Sequence, residues 1–349
     1  MKKPMADRRT CVEAMPPLEV DYLTLPEWEQ RLQRDPSSVL AEFHFGAALR
    51  PLQGVGHPHA LIDMAQLGPV PLIEAWSSRA AVSQGRSGHI QFARNDEIFF
   101  GSLSFSAADA RGIEATVRSA YHDILALIER EGCPNLLRIW NYFPEITRDD
   151  SGLDRYQCFC RGRFEALERY YGEFDRKLPS ASAVGTQGGG LVIYFIAARE
   201  AGQHRENPRQ ISAYHYPPQY GPKSPSFARA TLKRWGDDYS LYISGTASIV
   251  GHRSLHPGDV QSQVQETLDN LRVLIDTTAR EEGVEFAGLG SLRRLKIYIR
   301  DPQHLALVQR SLDQAIDPSV PRLYLHADIC RTELLLEIEG IARAASPSM

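Results

Sequence analysis

Residues 334–341 read Leu, Leu, Leu, Glu, Ile, Glu, Gly and Ile, so a carboxylate at Glu337 interrupts an apolar strand. Glutamate is seldom buried without a partner or a task. Glu337 and Glu339 share one face of the strand, and two readings compete for that face. It is wet, as in many antiparallel strands of alternating polarity, or it carries a half-buried acid whose raised pKa lets it donate a proton near neutral pH. Leu335 lies on the same face, which argues against simple solvation. Arginines that would hold an anion stand nearby: Arg322, fifteen residues upstream at the start of the segment PRLYLHADIC, and Arg155, Arg161 and Arg163 within DRYQCFCRGR. Two or more arginines around one acid suit a carboxylate-bearing substrate through bidentate pairing. For each taken singly, ordinary surface charge is the favoured reading.

The elements that must position these groups are legible as a repeat. In residues 241–274 the strand around Tyr242-Ile243 runs into Gly245, Thr246, Ala247 and Ser248, small enough for close approach to the backbone. A helix follows, with Val260, Val264, Leu268, Leu271 and Ile275 on one stripe and Asp259, Gln263, Glu266 and Asp269 assigned to the wet side. Asp259, after Pro257-Gly258, is its expected N-cap. The segment 93–106 has the same shape. Beyond it Ile113, Val117, Tyr121, Ile124, Leu127 and Ile128 match Val260, Val264, Leu268, Leu271, Leu274 and Ile275 at one constant offset of 147. Strands 136–146 and 292–302, helices from 161 and from 304, and closing strands 191–199 and 334–343 continue the match.

The order is β-α-β-α-β twice, an α+β architecture of mixed sheets with helices on one face. The units expected are an N-terminal extension over 1–75, a first, degenerate copy over 76–205, a Tyr/Pro-rich segment over 206–230 and a second, catalytic copy over 218–349. The segment 206–230 opposes regular helix and suits an extended loop packed over a site. The copies disagree where Glu337 stands opposite Tyr194.

Composition narrows the function. With 43% apolar residues the chain buries a sizeable core, and a net charge of −4 gives no reason to expect nucleic acid or an anionic membrane. A charged, proline-rich start without an apolar signal core, and no 18-residue apolar run, lead to the expectation of a cytoplasmic protein. Five cysteines, at 11, 133, 158, 160 and 330, read as reduced thiols, and the lone Cys158-x-Cys160 lacks a second ligand pair for a metal. Dinucleotide, P-loop, nucleophile-elbow and zincin signatures are missing, so no cofactor is expected.

The segments ISGTASIVG, Q-x-T-L-D-N-L, LKIYIRD, Arg322 and EIEGIA together resemble the YjgF/RidA (chorismate mutase-like) fold over 218–345, with a degenerate version over 76–200. Joined with ENPRQISAYHYPPQYGPKSPSFARA and Y-x-x-F-C-x-G-R, they resemble the chorismatases over nearly the whole chain. That resemblance implies cleavage of the enolpyruvyl ether of chorismate to pyruvate without metal or organic cofactor. It implies Glu337 as the acid that protonates the enolpyruvyl methylene, and Arg163, Arg322 and Arg155 as carboxylate ligands. Tyr216 would add a hydroxyl or a ring wall. Gly245 and Cys330 resemble the branch making 3-hydroxybenzoate, in part also 4-hydroxybenzoate, rather than the branch making a dihydroxycyclohexadiene carboxylate. Two repeats in one chain would supply internally the interface that small YjgF proteins make between subunits, so a monomer is expected to suffice. An imine deaminase, or a ligand-binding protein on the same fold without chemistry, are the competing readings.

Overall fold

The computed structural model describes residues 17–46, 55–150, 152–172 and 177–345. Cys11 lies outside them. Three sheets carry the chain. The first is formed by β1 (Leu18–Leu23), β2 (Val39–Phe45), β3 (His59–Ile62) and β4 (Ile73–Ser78), in the order β1-β4-β2-β3, with helix α1 (Leu25–Arg34) between β1 and β2.

The middle unit opens with a hairpin of β5 (Ser83–Ser87) and β6 (Ile90–Arg94). It continues as β7 (Ile98–Phe105), α2 (Ile113–Arg130), β8 (Asn135–Pro144), α3 (Arg155–Tyr171), β9 (Ser180–Thr186) and β10 (Leu191–Ala198). The third unit opens with β11 (Gln203–Arg205) and β12 (Ala230–Trp235). Then come β13 (Asp238–Thr246), the short pair β14 (Ile249–Val250) and β15 (Arg253–Ser254), α4 (Val260–Glu282), β16 (Leu292–Ile299), α5 (Leu305–Ala315), β17 (Arg322–His326) and β18 (Leu336–Ala345).

Both six-stranded sheets have one topology, β5-β6-β7-β10-β8-β9 and β11-β12-β13-β18-β16-β17. The repeat read from the helices therefore extends through the whole unit, and each copy has one strand more in its closing part: β9 and β17 pair in parallel with β8 and β16. The N-terminal sheet, for which the sequence suggested no role, repeats the order β7-β10-β8-β9 as β1-β4-β2-β3, again with a parallel β2–β3 pair. It is a third, reduced copy that periodicity alone missed, because its strands are short and it shares only α1.

The helical stripes pack as their spacing requires. In α4, Val264, Leu268, Leu271, Leu274 and Ile275 are buried against Leu295, Ile297, Leu336 and Ile338 of the third sheet. Asp259 caps α4 by accepting from Ser262 N. Gln263 departs from its expected wet position. It is fully buried, donates to Glu333 O at 2.8 Å and accepts from Leu335 N at 2.8 Å, so it clamps the segment that leads into β18. A polar side chain on an apolar stripe is tolerated here because both ends of its amide are satisfied. The opposite faces of the three sheets meet in one central core of Phe43, Trp76, Trp140, Tyr142, Tyr194 and Tyr298. No helix among the described residues is long and apolar enough to cross a membrane.

Candidate active site

Glu337 projects from β18 into this inter-sheet region. Alternation along the strand turns Leu336 and Ile338 toward the helices and Glu337 and Glu339 toward the middle sheet. That face is buried, so the solvated reading is excluded: Glu337 is 5% exposed. Its carboxyl lines a cavity of about 300 Å³, in the range of small-molecule sites. The walls are Ala181–Ala183 of β9, the C-terminal end of β13, the segment 330–334 and the first turns of α3. Tyr216, Tyr220, Phe227 and Arg229 of the Tyr/Pro-rich segment complete them.

Burial pushes the Glu337 carboxyl up to about 8, and the negative charge of Glu339 adds to this, while Arg138 and Arg229 oppose it. The acid is protonated at neutral pH. Its seat exists because residue 245 has no side chain: a Cβ there would lie 1.8 Å from Glu337 Oε1 and 3.1 Å from Ser182 Oγ. Gly245 N donates to Ser182 Oγ at 3.0 Å, which ties the middle unit to the strand end beside the acid. This glycine serves the space of a neighbouring carboxyl rather than an unusual backbone angle.

Three arginines line the cavity: Arg163, Arg229 and Arg331. Arg163 is held by α3, which Asp154 starts with a capping box, accepting from Gln157 N at 2.7 Å. The preceding Gly162 lets α3 press onto α2, since a Cβ there would meet Glu114 O at 2.2 Å. Arg163 is 2% exposed, lies over the Tyr121 ring, and its Nε and Nη2 have no hydrogen-bond partner. Unpaired guanidinium nitrogens in a buried wall are costly unless a ligand uses them. Arg229 donates to Tyr216 OH at 2.8 Å and to Ile211 O at 3.0 Å, and its buried Nε is free. Arg331 donates to His252 O at 2.9 Å and stacks over the rings of Tyr216 and Tyr220.

Of the residues singled out by sequence, Glu337, Arg163, Tyr216, Gly245 and Cys330 meet in this cavity. Burial pushes the Cys330 thiol up to about 12, with the Glu337 charge adding to it, so it stands there as a neutral wall. Arg322 and Arg155 do not reach it. Arg322 pairs with Asp313 and donates to Ile316 O at 2.8 Å and Asp317 O at 3.2 Å, closing the C-terminal end of α5. It lies at the edge of β17 that faces the first unit, where Gln66 bridges Leu325, whereas the cavity lies at the edge of β9 that faces the third unit. Arg155 donates to Pro144 O at 3.1 Å and Ala110 O at 3.2 Å, pinning the N-terminus of α3. Arg161 pairs with Glu114 on α2. Arg229 and Arg331 were missed. Their signal was adjacency: each abuts a segment already marked, Arg229 in the Tyr/Pro-rich loop and Arg331 beside Cys330.

One cavity between two copies of one α+β unit thus brings together the buried acid Glu337, Arg163, Arg229 and Arg331, with Asp154 and Glu333 also on its wall. A family profile described as "Chorismatase FkbO/Hyg5-like, N-terminal" matches residues 74–197. The chain is 38% identical over 294 residues to a 3-hydroxybenzoate synthase of Streptomyces hygroscopicus, spanning 82% of this chain and 86% of that one. It is 36% identical to a chorismatase of the same organism, spanning 82% and 83%. A crystal structure of a chorismatase superposes with a TM-score of 0.85 at 31% identity, over 94% of this chain and 99% of the other. The chain belongs to the chorismatase family.

Proposed function

We propose that the chain cleaves the enolpyruvyl ether of chorismate to pyruvate and 3-hydroxybenzoate, with Glu337 as the general acid. The observation that carries the reading is Glu337 itself: a protonated carboxyl, sunk between units, on the wall of a cavity that Arg163, Arg229 and Arg331 also line, together with the acidic residues Asp154 and Glu333. Chorismate carries two carboxylates, and Arg163, Arg229 and Arg331 offer nitrogens to hold them. Glu337 delivers its proton to the enolpyruvyl methylene carbon, giving an oxocarbenium ion whose charge the substrate carboxylates and the emerging Glu337 carboxylate offset. The ring hydroxyl, rather than water, gives its proton to the Glu337 carboxylate as its oxygen bonds to the neighbouring ring carbon, and the bond from that carbon to the ether oxygen breaks to release pyruvate. The resulting epoxide opens with loss of a ring proton to the aromatic acid. The atoms of chorismate divide between the two products, so no water or redox partner enters the balance. The neutral walls around Glu337, Cys330 and Ala181–Ala183, suit a route that keeps water from the cation.

Product analysis after incubation with chorismate, with and without EDTA, tests this. Equimolar pyruvate and 3-hydroxybenzoate, both abolished by Glu337→Gln, are the expected result. A dihydroxycyclohexadiene carboxylate in place of the aromatic acid would assign the hydrolytic branch, and binding without turnover would reduce the chain to a ligand-binding protein.

A further inference from the structure

Two residues beyond Glu337 on the same strand face, Glu339 is 4% exposed and fully engaged. It accepts from Arg138 Nη2 at 2.8 Å, Trp140 Nε1 at 2.6 Å and Ser182 Oγ at 2.5 Å, and lies 3.2 Å from Lys296 Nζ. Lys296 is also 2.7 Å from Glu74 of the first unit and donates to Tyr194 OH at 2.8 Å. One buried cluster therefore draws charges from all three units: two carboxylates, Glu74 and Glu339, against two cations, Arg138 and Lys296. Burying four charges is expensive, and apolar packing would join the sheets at lower cost. The cluster is neutral as a whole. Removing one carboxylate would leave a net positive charge beside Glu337, and a buried carboxyl next to an unmatched cation ionises.

We propose that Glu339 is a positioning residue for the acid: it neutralises Arg138 and Lys296 so that Glu337 keeps its proton, and it fixes the seat of Glu337 through Ser182. The second part follows from one hydroxyl. Ser182 Oγ donates to Glu339, accepts from Arg138 Nη2 at 2.6 Å and accepts from Gly245 N, so the glycine that makes room for Glu337 is moored to the cluster. The other groups around the acid agree with this division. Burial raises Cys330 and Tyr156, which stay neutral, and Arg229 already donates to Tyr216 OH and Ile211 O. Arg163 and Arg331 line the same cavity and, with Arg229, are the groups offered to the substrate carboxylates, while Asp154 and Glu333 are the remaining charged residues of its wall. Arg138 is the cation whose pairing decides the state of Glu337. Burial would raise Glu339, but Lys296 and Arg138 hold it below the usual carboxylate range, so its charge is permanent over the working pH.

The inference rests on Glu337 being the proton donor, and its test keeps the two apart. The measurement is kcat/KM for chorismate between pH 5.5 and 9.5, which reports the ionisation of the free enzyme. In the unmodified chain activity is expected to fall as Glu337 loses its proton, near pH 8. In Glu339→Gln the falling limb is expected at least one pH unit lower, so kcat/KM at pH 8 drops at least about fivefold and recovers at pH 6 to within about threefold of the unmodified chain. In Arg138→Gln the limb is expected to move the opposite way, because the neighbouring cation is gone. A limb unmoved in Glu339→Gln, or moved the same way in both variants, overturns the proposal. If Glu339→Gln does not fold, Arg138→Gln alone decides, and an unmoved or lowered limb overturns it. Retained activity in Glu337→Gln instead overturns the proton-donor reading itself.

Discussion

Gly245 and Glu337 compete for the same space: a methyl group on residue 245 would sit 1.8 Å from the Glu337 carboxyl oxygen. The acid of one strand is thus aimed by the absence of a side chain on its neighbour. Gly245→Ala is expected to lower kcat about a hundredfold with little change in KM, since displacing a catalytic group by an ångström costs about that much. Steady-state kinetics on chorismate measure it, and unchanged kcat would show that the carboxyl has another place to sit.

Glu337→Gln is isosteric and keeps the cavity. Loss of a general acid costs about 10²- to 10⁴-fold in kcat, while chorismate affinity measured by calorimetry is expected to hold. A variant that loses binding and turnover together would make Glu337 a ligand rather than a proton source.

The same substitution has a stability signature. The folded chain holds the Glu337 proton to about 8, whereas an unfolded glutamate loses it near 4.5. The carboxyl is harmless below pH 4.5, and stability is lost progressively as pH rises toward 8 because the unfolded chain can ionise. Glu337→Gln is therefore expected to match the unmodified chain at pH 4.5 and exceed it by about 2 to 4 kcal/mol above pH 8. Urea unfolding at the two pH values checks the sign.

Arg163 lines the cavity, and its buried Nε and Nη2 have no partner. Arg163→Met is expected to raise KM about 10- to 100-fold, the loss of a charged hydrogen bond worth about 1.5 to 3 kcal/mol, with thermal stability unchanged or higher because an unsatisfied buried charge disappears. A lowered Tm with normal KM would place Arg163 in the scaffold instead.

Arg322 is the converse case. Its bonds to Asp313, Ile316 O and Asp317 O fasten the end of α5. Arg322→Ala is expected to cost about 1 kcal/mol of stability and to leave kcat/KM for chorismate within about twofold. A large rise in KM would return it to the site.

Much of this protein was legible before folding was considered. Periodicity located α2 and α4 because a helix that packs on a sheet must place apolar groups at 3.6-residue spacing, and six matched positions betrayed the repeat. The anomaly of a carboxylate in an apolar strand located Glu337 because burying it is expensive and so needs a reason. Arginine is cheap at a surface, so its sequence position carries little information. Residues 155, 161, 163, 229, 322 and 331 look alike on paper, and only the packing of three units decides that Arg163, Arg229 and Arg331 converge while Arg322 faces a different edge. The same holds for Gly245, whose role is a distance to a residue 92 positions away. It holds too for the cluster of Glu74, Arg138, Lys296 and Glu339, in which each charge comes from a different strand. Local pattern specifies which elements form and which face is buried. The meeting of side chains distant in sequence is set by how the sheets stack, and tertiary structure alone decides it.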